Sequence, residues 1–267
     1  MYPAMNPRTA EFHERKHSMN LTGRTVLVTG GARGVGRALT RRLTGLGAHV
    51  VAVGRDPAGL ADLTAEYGDR VSAECVDLAD PDAVDAFTDA LPGRHPEVSV
   101  VINNAGVQNL SSFLTGDPRA LRPVLRRELA VNLDAVITLS TGLLPHLRSL
   151  PSAAIVNISS GLAIVPKPSA PVYCAAKSAV RTFTRALRYQ CEDSAPRVRI
   201  MDAVLPLVDT DMTAGRGRGK ISPDETARAV LTGIRRERNE IYVGRTRLLP
   251  ALMRVAPSVG YRALRHG

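Results

Sequence analysis

Strand-like and helix-like segments alternate along this chain, and the alternation limits its folds more than any other feature. Short apolar segments predict strands at residues 24–30, 48–54, 70–77, 97–106, 153–160, 197–205 and 240–244. Segments with helical spacing lie between them, at residues 35–47, 56–68, 81–91, 118–149, 171–192 and 223–237. Strands that alternate with helices form βαβ units and a parallel sheet. We therefore expect the α/β class, with a single doubly wound parallel sheet that carries helices on both faces.

The length and composition favour one domain. The chain has 267 residues, of which 44% are hydrophobic, and this is enough for a large core. Because no repeat or Pro/Ser-rich linker interrupts it, we expect a single domain over 21–267 after an N-terminal extension, residues 1–20. The extension carries acids and His where an export signal would be apolar, and Met1 or Met19 could be the start. We expect a cytoplasmic protein, because no apolar run reaches the roughly 18 residues of a membrane span.

The composition argues against metal and nucleic-acid ligands. An odd number of cysteines at wide spacing indicates neither a disulfide framework nor a metal site; they are Cys75, Cys174 and Cys191. The net charge of +10 would suit nucleic acid, but only 4% of residues are aromatic and none is Trp, so stacking surfaces are scarce. We expect no metal and no nucleic-acid partner.

A basic tail covers residues 245–267, with five Arg and no acid. Such a segment can pack on a partner subunit or on its own domain, or it can lie on an anionic membrane. We favour packing in a homodimer or homotetramer, because there is no Trp to anchor it, and membrane-surface contact stays the alternative. The apolar residues expected in that interface are Leu248, Leu249, Leu252, Met253 and Val255.

The first strand leads into a glycine-rich turn, "TGGARGVG", at residues 29–36. Gly30 permits the tight turn, Gly34 lets the backbone approach a pyrophosphate, and Gly36 allows close packing of the helix. With Val35, these residues would cradle the phosphates at a helix N-terminus. No G-K-[ST] follows, which argues against a P-loop NTPase. The turn predicts a dinucleotide site, and hence a Rossmann-type sheet.

The end of the second strand indicates which dinucleotide binds. An acid there would bind the ribose 2′-hydroxyl and favour NAD, but this chain has Gly54 and then Arg55. Arg33 lies inside the glycine turn, and two guanidinium groups could hold a 2′-phosphate. We therefore favour NADP(H), while Asp56, one residue later, keeps NAD(H) as the alternative. Asp77 ends the third strand and could meet the adenine.

Tyr173 and Lys177 lie four residues apart, on one face of a predicted helix, in a chain with only four lysines. A phenol has a pKa near 10, which must fall by roughly 3 units for acid–base work near neutrality. A neighbouring ammonium favours the phenolate and supplies part of that shift. Ser160, at the end of a buried strand, could hold a substrate oxygen beside the phenol.

Four motifs stand in one order: "TGGARGVG", "NNAG", "NISS" and "YCAAK". In this order and spacing, residues 21–245 resemble the classical short-chain dehydrogenases/reductases. The resemblance implies hydride transfer between a nicotinamide and a carbonyl carbon. The catalytic roles it implies fall on Asn132, Ser160, Tyr173 and Lys177. The cofactor contacts it implies fall on Asn104, Ala105, Gly106, Tyr173, Lys177, Pro206, Val208 and Thr210.

A narrower likeness is carried by "NNAGVQ", "SSGLAIVPKPSAPVYCAAK" and "PLVDTDM". These segments look like the branch typified by the dehydrogenase encoded with the teichoic-acid D-alanylation machinery. One motif departs from the family pattern P-G-x-V-x-T, since "PLVDTD" lacks the Gly and is one residue shorter. The loop that follows, residues 213–223, corresponds to the family's substrate lid. Its cations would favour an anionic or carrier-bound substrate; they are Arg216, Arg218 and Lys220.

These features predict an NADP(H)-dependent oxidoreductase that acts on a ketone/alcohol pair, with Tyr173 as acid and base. The alternative from another class is a non-catalytic protein that binds NADP(H) as a redox sensor and signals through a partner. The complete Tyr-Lys-Ser-Asn set argues against the sensor, which would not need all four residues.

Overall fold

The computed structural model describes residues 18–265. Its sheet has seven parallel strands in the order β3-β2-β1-β4-β5-β6-β7. The strands are β1 Thr25–Thr29, β2 His49–Gly54, β3 Val71–Cys75, β4 Val98–Asn103, β5 Ala153–Ser160, β6 Val198–Leu205 and β7 Glu240–Tyr242. All seven predicted strands are confirmed, and so is the doubly wound parallel sheet.

Ten α-helices connect and flank the strands within the described residues. They are α1 Gly34–Gly45, α2 Pro57–Tyr67, α3 Pro81–Arg94, α4 Pro118–Leu129, α5 Ala135–Gly142, α6 Leu144–Ser149, α7 Pro171–Ser194, α8 Pro223–Arg235, α9 Leu249–Val255 and α10 Pro257–Arg265. Residues of α1, α2 and α8 join one core cluster, and residues of α3, α5 and α7 join the other. The sheet is therefore covered on both faces, as predicted.

The central strands are buried because their side chains alternate between the two clusters. In β1, Val26 and Val28 belong to the cluster under α1, whereas Leu27 belongs to the cluster under α3. All three are 0% exposed. Burying one such side chain stabilises a fold by about 1.5–3 kcal/mol. This explains why the strands read as continuous apolar segments rather than as alternating ones.

The order of the strands creates the crevice where the motifs meet. The chain runs outward from β1 to β3 and then returns to β4 on the other side of β1. In such sheets, ligands bind beyond the carboxyl ends of the strands at this switch point. The glycine turn follows β1, "NNAG" begins at the end of β4, and Ser160 ends β5.

The helix predicted over residues 118–149 is interrupted twice. A π-helical turn, Ala130–Asp134, separates α4 from α5, and a second break separates α5 from α6. Pro145 lies in the first turn of α6, where its missing N–H cannot continue the preceding helix. The π-helical turn contains Asn132, whose fully buried side chain bonds outside the helix. Such turns often accompany functional residues.

The two ends of the described chain pack on the domain. Met19 is buried in the core and its N–H donates to Arg235 O at 3.0 Å, so residues 18–20 of the predicted extension belong to the folded body. The rest of that extension lies outside the described residues. In the tail, Leu249 lies against Gly161, where an added Cβ would approach Leu249 Cδ1 to 3.2 Å.

Part of the tail's apolar surface is open within the chain. Leu248 is 70% exposed and Val255 is 84% exposed, whereas Leu249, Leu252 and Met253 are half-buried. The predicted subunit interface stays a prediction. No helix in residues 18–265 combines the length and the apolar character needed to cross a membrane.

Candidate active site

The glycine turn after β1 has the backbone that its sequence predicts. Gly30 and Gly34 have φ values of +67° and +49°, a region that L side chains rarely adopt. A Cβ on Gly36 would lie 1.9 Å from Gly30 O, so only glycine lets α1 begin this close to the strand. Val35 follows Gly34 in the first turn of the helix. The turn is thus a cradle without side chains at a helix N-terminus, and it fits a pyrophosphate.

The end of β4 is tied directly to this turn. The Thr29 hydroxyl accepts hydrogen bonds from the N–H groups of Asn104 and Ala105, both at 2.9 Å. The Asn104 side-chain amide donates to Thr29 O, also at 2.9 Å. The two loops that the sequence assigns to the dinucleotide therefore form one rigid wall.

The residues expected at the adenosine end are brought together in pairs that the sequence analysis did not predict. The Arg33 guanidinium forms a salt bridge with the Asp56 carboxylate, and this contact holds the Asp56 pKa below its usual range. Of the two arginines proposed for a 2′-phosphate, Arg33 is therefore already paired with an acid, whereas Arg55 is exposed. Asp77 accepts two hydrogen bonds of 3.0 Å from Arg127 of α4.

The helix α7 carries Tyr173 and Lys177 into the crevice at the end of β5. The Lys177 ammonium lies 5.9 Å from the centre of the Tyr173 ring and donates to Ile158 O at 2.9 Å. Burial raises the pKa of Tyr173 to about 12, although the Ser160 hydroxyl beside the phenol acts in the opposite direction. Burial lowers the pKa of Lys177 to about 8. The fall in the tyrosine pKa that the sequence predicts is thus not found in the protein itself, where desolvation prevails over the opposing effect of Ser160.

The side chains of Asn132 and Lys177 both lie next to Gly106. A Cβ on Gly106 would lie 3.0 Å from Asn132 Oδ1 and 3.7 Å from Lys177 Nζ. The Asn132 amide also donates to Val107 O at 2.7 Å and accepts from the Val107 N–H at 3.1 Å. The four residues predicted to be catalytic therefore lie around one crevice, at the carboxyl ends of β4 and β5.

The shortened motif after β6 closes the base of the lid. Val208 forms a parallel bridge with Ile221, so the loop between them begins and ends at the same point. A Cβ on Gly34 would lie 3.1 Å from the Thr210 side chain, which brings this motif to the glycine turn. Pro206 lies just before the bridge, half-buried. The missing Gly therefore does not remove the contact between this segment and the dinucleotide cradle.

The cations of the lid are not equivalent. Lys220 is partly neutralised, because it donates to Asp209 Oδ1 at 3.1 Å and to Thr213 O at 2.8 Å. Arg216 instead donates to the neutral amide oxygen of Gln108 at 2.9 Å. Arg218 has no salt bridge within residues 18–265. Arg216 is thus the lid cation best placed to meet an anion at the crevice.

Sequence reasoning missed three charged residues near the site. Burial and the nearby Arg216 lower the pKa of Lys167, in the loop after β5. Asp202 lies buried in β6, and its charge raises the pKa of Lys177 against the effect of burial. Glu128 of α4 is 1% exposed, and burial raises its pKa. Only Asp202 has a visible sequence feature, since it interrupts the apolar strand "VRIMDAVL".

Titratable side chains elsewhere do not assemble a metal centre: among the described residues, no three His, Cys, Asp or Glu lie close enough to hold an ion. A glycine cradle at a switch point, beside a cluster of Tyr, Lys, Ser and Asn, instead defines the class of dinucleotide-linked oxidoreductases.

Comparison with known proteins agrees with this class. The family model described as short chain dehydrogenase matches residues 24–220. The Uncharacterized oxidoreductase DltE of Bacillus subtilis (strain 168) is 35% identical over 230 residues, 84% of this chain and 89% of that protein. The L-xylulose reductase of Bos taurus is 35% identical over 220 residues, 81% of this chain and 83% of that protein.

A solved structure agrees in fold as well. A short chain dehydrogenase from Burkholderia cenocepacia J2315 in complex with NADP has a TM-score of 0.80 and 28% sequence identity; the match covers 92% of this chain and 99% of that one. The chain belongs to the short-chain dehydrogenase/reductase family of oxidoreductases. The predicted family resemblance is confirmed. The narrower likeness to the branch of the dehydrogenase encoded with the teichoic-acid D-alanylation machinery is confirmed as well, by the similarity to DltE.

Proposed function

We propose that this oxidoreductase is NADP(H)-dependent and interconverts a ketone and an alcohol, with Tyr173 as the acid and base. The observation that carries the proposal is the meeting of Ser160, Tyr173, Lys177 and Asn132 at one crevice beside the glycine cradle. A protein that only sensed the dinucleotide would need the cradle but not these four side chains.

Each side chain has one task in the reaction. The Ser160 hydroxyl donates to the substrate carbonyl oxygen and holds it beside the phenol. In reduction Tyr173 gives its proton to that oxygen, and in oxidation it takes the proton back. Lys177 stabilises the phenolate that remains, while Asn132 holds Val107 and lies beside the lysine. The bound nicotinamide supplies or accepts the hydride at C4 and, when oxidised, adds a positive charge to the site.

That positive charge bears on the phenol. The protein's own groups leave the pKa of Tyr173 at about 12, too high for a base near neutrality. A cation beside a phenol favours its ionised form. We infer that Tyr173 becomes a competent base only in the complex with oxidised dinucleotide, so that substrate oxidation follows cofactor binding in an ordered sequence.

The dinucleotide would be held along the cradle. The backbone at Gly30, Gly34, Val35 and Gly36 would meet the pyrophosphate, and Arg33 with Arg55 would meet a 2′-phosphate. The segments Asn104–Gly106 and Pro206–Thr210 would line the nicotinamide. The NADP complex of the Burkholderia cenocepacia relative supports this choice of cofactor. The Arg33–Asp56 pair must open for a 2′-phosphate, and this opening is easy because the Arg33 side chain is 66% exposed.

The substrate would carry its carbonyl near Ser160 and an anionic group near the lid. Lys167 and Arg216 lie close enough that the arginine lowers the pKa of the lysine, and among residues 18–265 the side chain of Arg216 bonds only the neutral amide of Gln108. Two cations in this position favour a carboxylate or phosphate on the substrate or its carrier. The name of the L-xylulose reductase supports a ketone as the reacting group.

Turnover with a panel of ketones and alcohols, each with NADPH, NADP⁺, NADH and NAD⁺, tests this proposal. Tyr173→Phe should lower turnover by about 10²-fold or more and leave dinucleotide binding unchanged. Tyr189→Phe is the matched control, because Tyr189 lies on the same helix and is 57% exposed. Wild-type turnover by Tyr173→Phe on the best substrate would contradict the mechanism.

A further inference from the structure

Glu128 is a buried acid to which the proposed reaction assigns no task. It lies in α4, its side chain is 1% exposed, and it forms no salt bridge with any described residue. A carboxylate is rarely buried without a cation, because desolvation of the charge is costly. A buried acid next to the crevice therefore calls for a role, which its hydrogen bonds indicate.

Among the described residues, the hydrogen bonds of the Glu128 carboxylate are made with Asn109. The Asn109 N–H donates to Glu128 Oε1 at 3.3 Å, and the Asn109 side-chain amide donates to Oε2 at 3.4 Å. One helical turn later, Asn132 binds both the N–H and the C=O of Val107. The helical segment thus clamps alternate residues of the segment after "NNAG", each at two points.

The residue between the two clamped positions is Gln108. Its amide oxygen accepts the 2.9 Å hydrogen bond from Arg216 of the lid. The position of residues 107–109 therefore determines where the lid arginine can dock over the crevice.

We propose that Glu128 is a positioning residue whose carboxylate clamps residues 107–109, so that Gln108 receives the lid arginine and the substrate site closes to a fixed width. The inference rests on the proposed function, because the lid is taken to close over substrate. Glu128 touches neither the reacting atoms nor the dinucleotide cradle, and it acts through Asn109.

The clamp has a second, separable effect on the phenol. The groups that face Tyr173 are Ser160 from β5, Lys177 and Cys174 from α7, and Glu128 from α4. Of these, the Glu128 and Cys174 charges oppose ionisation of the phenol, whereas Ser160 favours it. Removing the Glu128 charge should therefore make the phenolate easier to form. In the oxidative direction, the rise of kcat/KM on the acidic side of its pH profile, here called the acidic limb, should move to lower pH.

Two substitutions of Glu128 separate the two effects. Glu128→Gln keeps the shape and, after a flip of the Asn109 amide, both hydrogen bonds, but it removes the charge. We expect its KM to stay within about twofold and the acidic limb of its kcat/KM profile to move to lower pH. Glu128→Leu removes the clamp as well, and we expect KM to rise at least about tenfold with a smaller loss of kcat.

Asn109→Ala keeps the charge and removes half of the clamp, so it should raise KM without moving the limb. It also carries the test if Glu128→Leu does not fold. Glu192→Gln, an exposed acid on α7, controls for the loss of one charge and should change neither quantity. A wild-type KM in both Glu128→Leu and Asn109→Ala would overturn the proposed clamp. An unmoved limb in Glu128→Gln would refute only the effect of the Glu128 charge on the phenol.

Hydrogen exchange of residues 107–110 tests the clamp without any turnover. We expect amide exchange there to be at least about tenfold faster in Glu128→Leu than in Glu128→Gln, because only the former frees the Asn109 N–H. If the wild type turned over no carbonyl or alcohol, the proposed function would be wrong. The hydrogen-exchange measurement would still test the clamp, because it does not depend on turnover. Equal exchange in both variants and the wild type would refute the clamp itself.

Discussion

The substitution Gly36→Ala tests the glycine cradle most directly, because the structure fixes what a methyl group would meet. An added Cβ would lie 1.9 Å from Gly30 O and 2.8 Å from the Asn104 side-chain nitrogen. The first of these is backbone, which cannot rotate away, so either α1 or the turn must move. Overpacking of this kind typically costs about 1–3 kcal/mol, and a backbone clash belongs at the upper end.

Gly45→Ala is the matched control at the other end of the same helix. Nothing lies within 4 Å of a Cβ at Gly45, and its φ is ordinary. Replacing a helical glycine by alanine gains up to about 1 kcal/mol. We therefore expect Gly36→Ala to lower the Tm by about 4–12 °C and Gly45→Ala to leave it unchanged or raise it slightly.

The affinity for the dinucleotide should differ between the two variants in the same way. Displacement of Gly30 distorts the turn that would bind the pyrophosphate, so NADPH affinity should fall at least about tenfold in Gly36→Ala and not in Gly45→Ala. Fluorescence titration with NADPH and thermal unfolding measure the two quantities on the same samples. If Gly36→Ala bound NADPH as tightly as Gly45→Ala, the turn would not be the phosphate site.

Three further predictions concern other parts of the molecule. NADPH should bind at least about tenfold more tightly than NADH, and equal affinities of the two in a titration would contradict this. Arg33→Met should reduce this preference and Asp56→Asn should increase it, each by about two- to fivefold. The pKa of Lys177 is lowered from 10.5 to about 8, so the unfolded chain binds more protons between these values and stability rises with pH there. From pH 8 to 10, chemical denaturation should show a rise on the order of 1–2 kcal/mol that Lys177→Met lacks. Truncation after Gly244 should abolish the oligomer or the solubility seen by light scattering, whereas the full chain should not sediment with anionic vesicles; salt-reversible cosedimentation with an unchanged oligomer would favour the membrane.

The fold could be predicted from the sequence because its strands are short apolar segments with glycine or polar residues at their ends. "RTVLVTG" and "AAIVNISS" each coincide with an observed strand to within a residue or two. The interruption of the 118–149 helix could not be predicted in the same way. It accompanies the hydrogen bonds of Asn132 with Val107, 25 residues away, and a local periodicity carries no information about such a partner.

In the candidate site too, arrangements set by local geometry could be predicted, whereas long-range contacts could not. Motif spacing was enough to bring Tyr173 and Lys177 to the end of β5, because helical and strand geometry fix that arrangement. The salt bridge of Arg33 with Asp56 joins surface residues 23 positions apart, and many such pairs were open to a chain this rich in arginine. The pKa of Tyr173 depends on how deeply the phenol is desolvated, a property of the packed site and not of its neighbours in sequence.

The contact of Leu249 with Gly161 bears on the order in which the molecule is completed during its synthesis. Gly161 directly follows Ser160, and the leucine that packs on it is added roughly 90 residues later, on the order of ten seconds at typical translation rates. Until then the end of β5 lacks part of its support, although the first five strands already exist. A nascent chain therefore has its first five strands well before Ser160, the proposed catalytic serine, acquires its final surroundings near the end of synthesis.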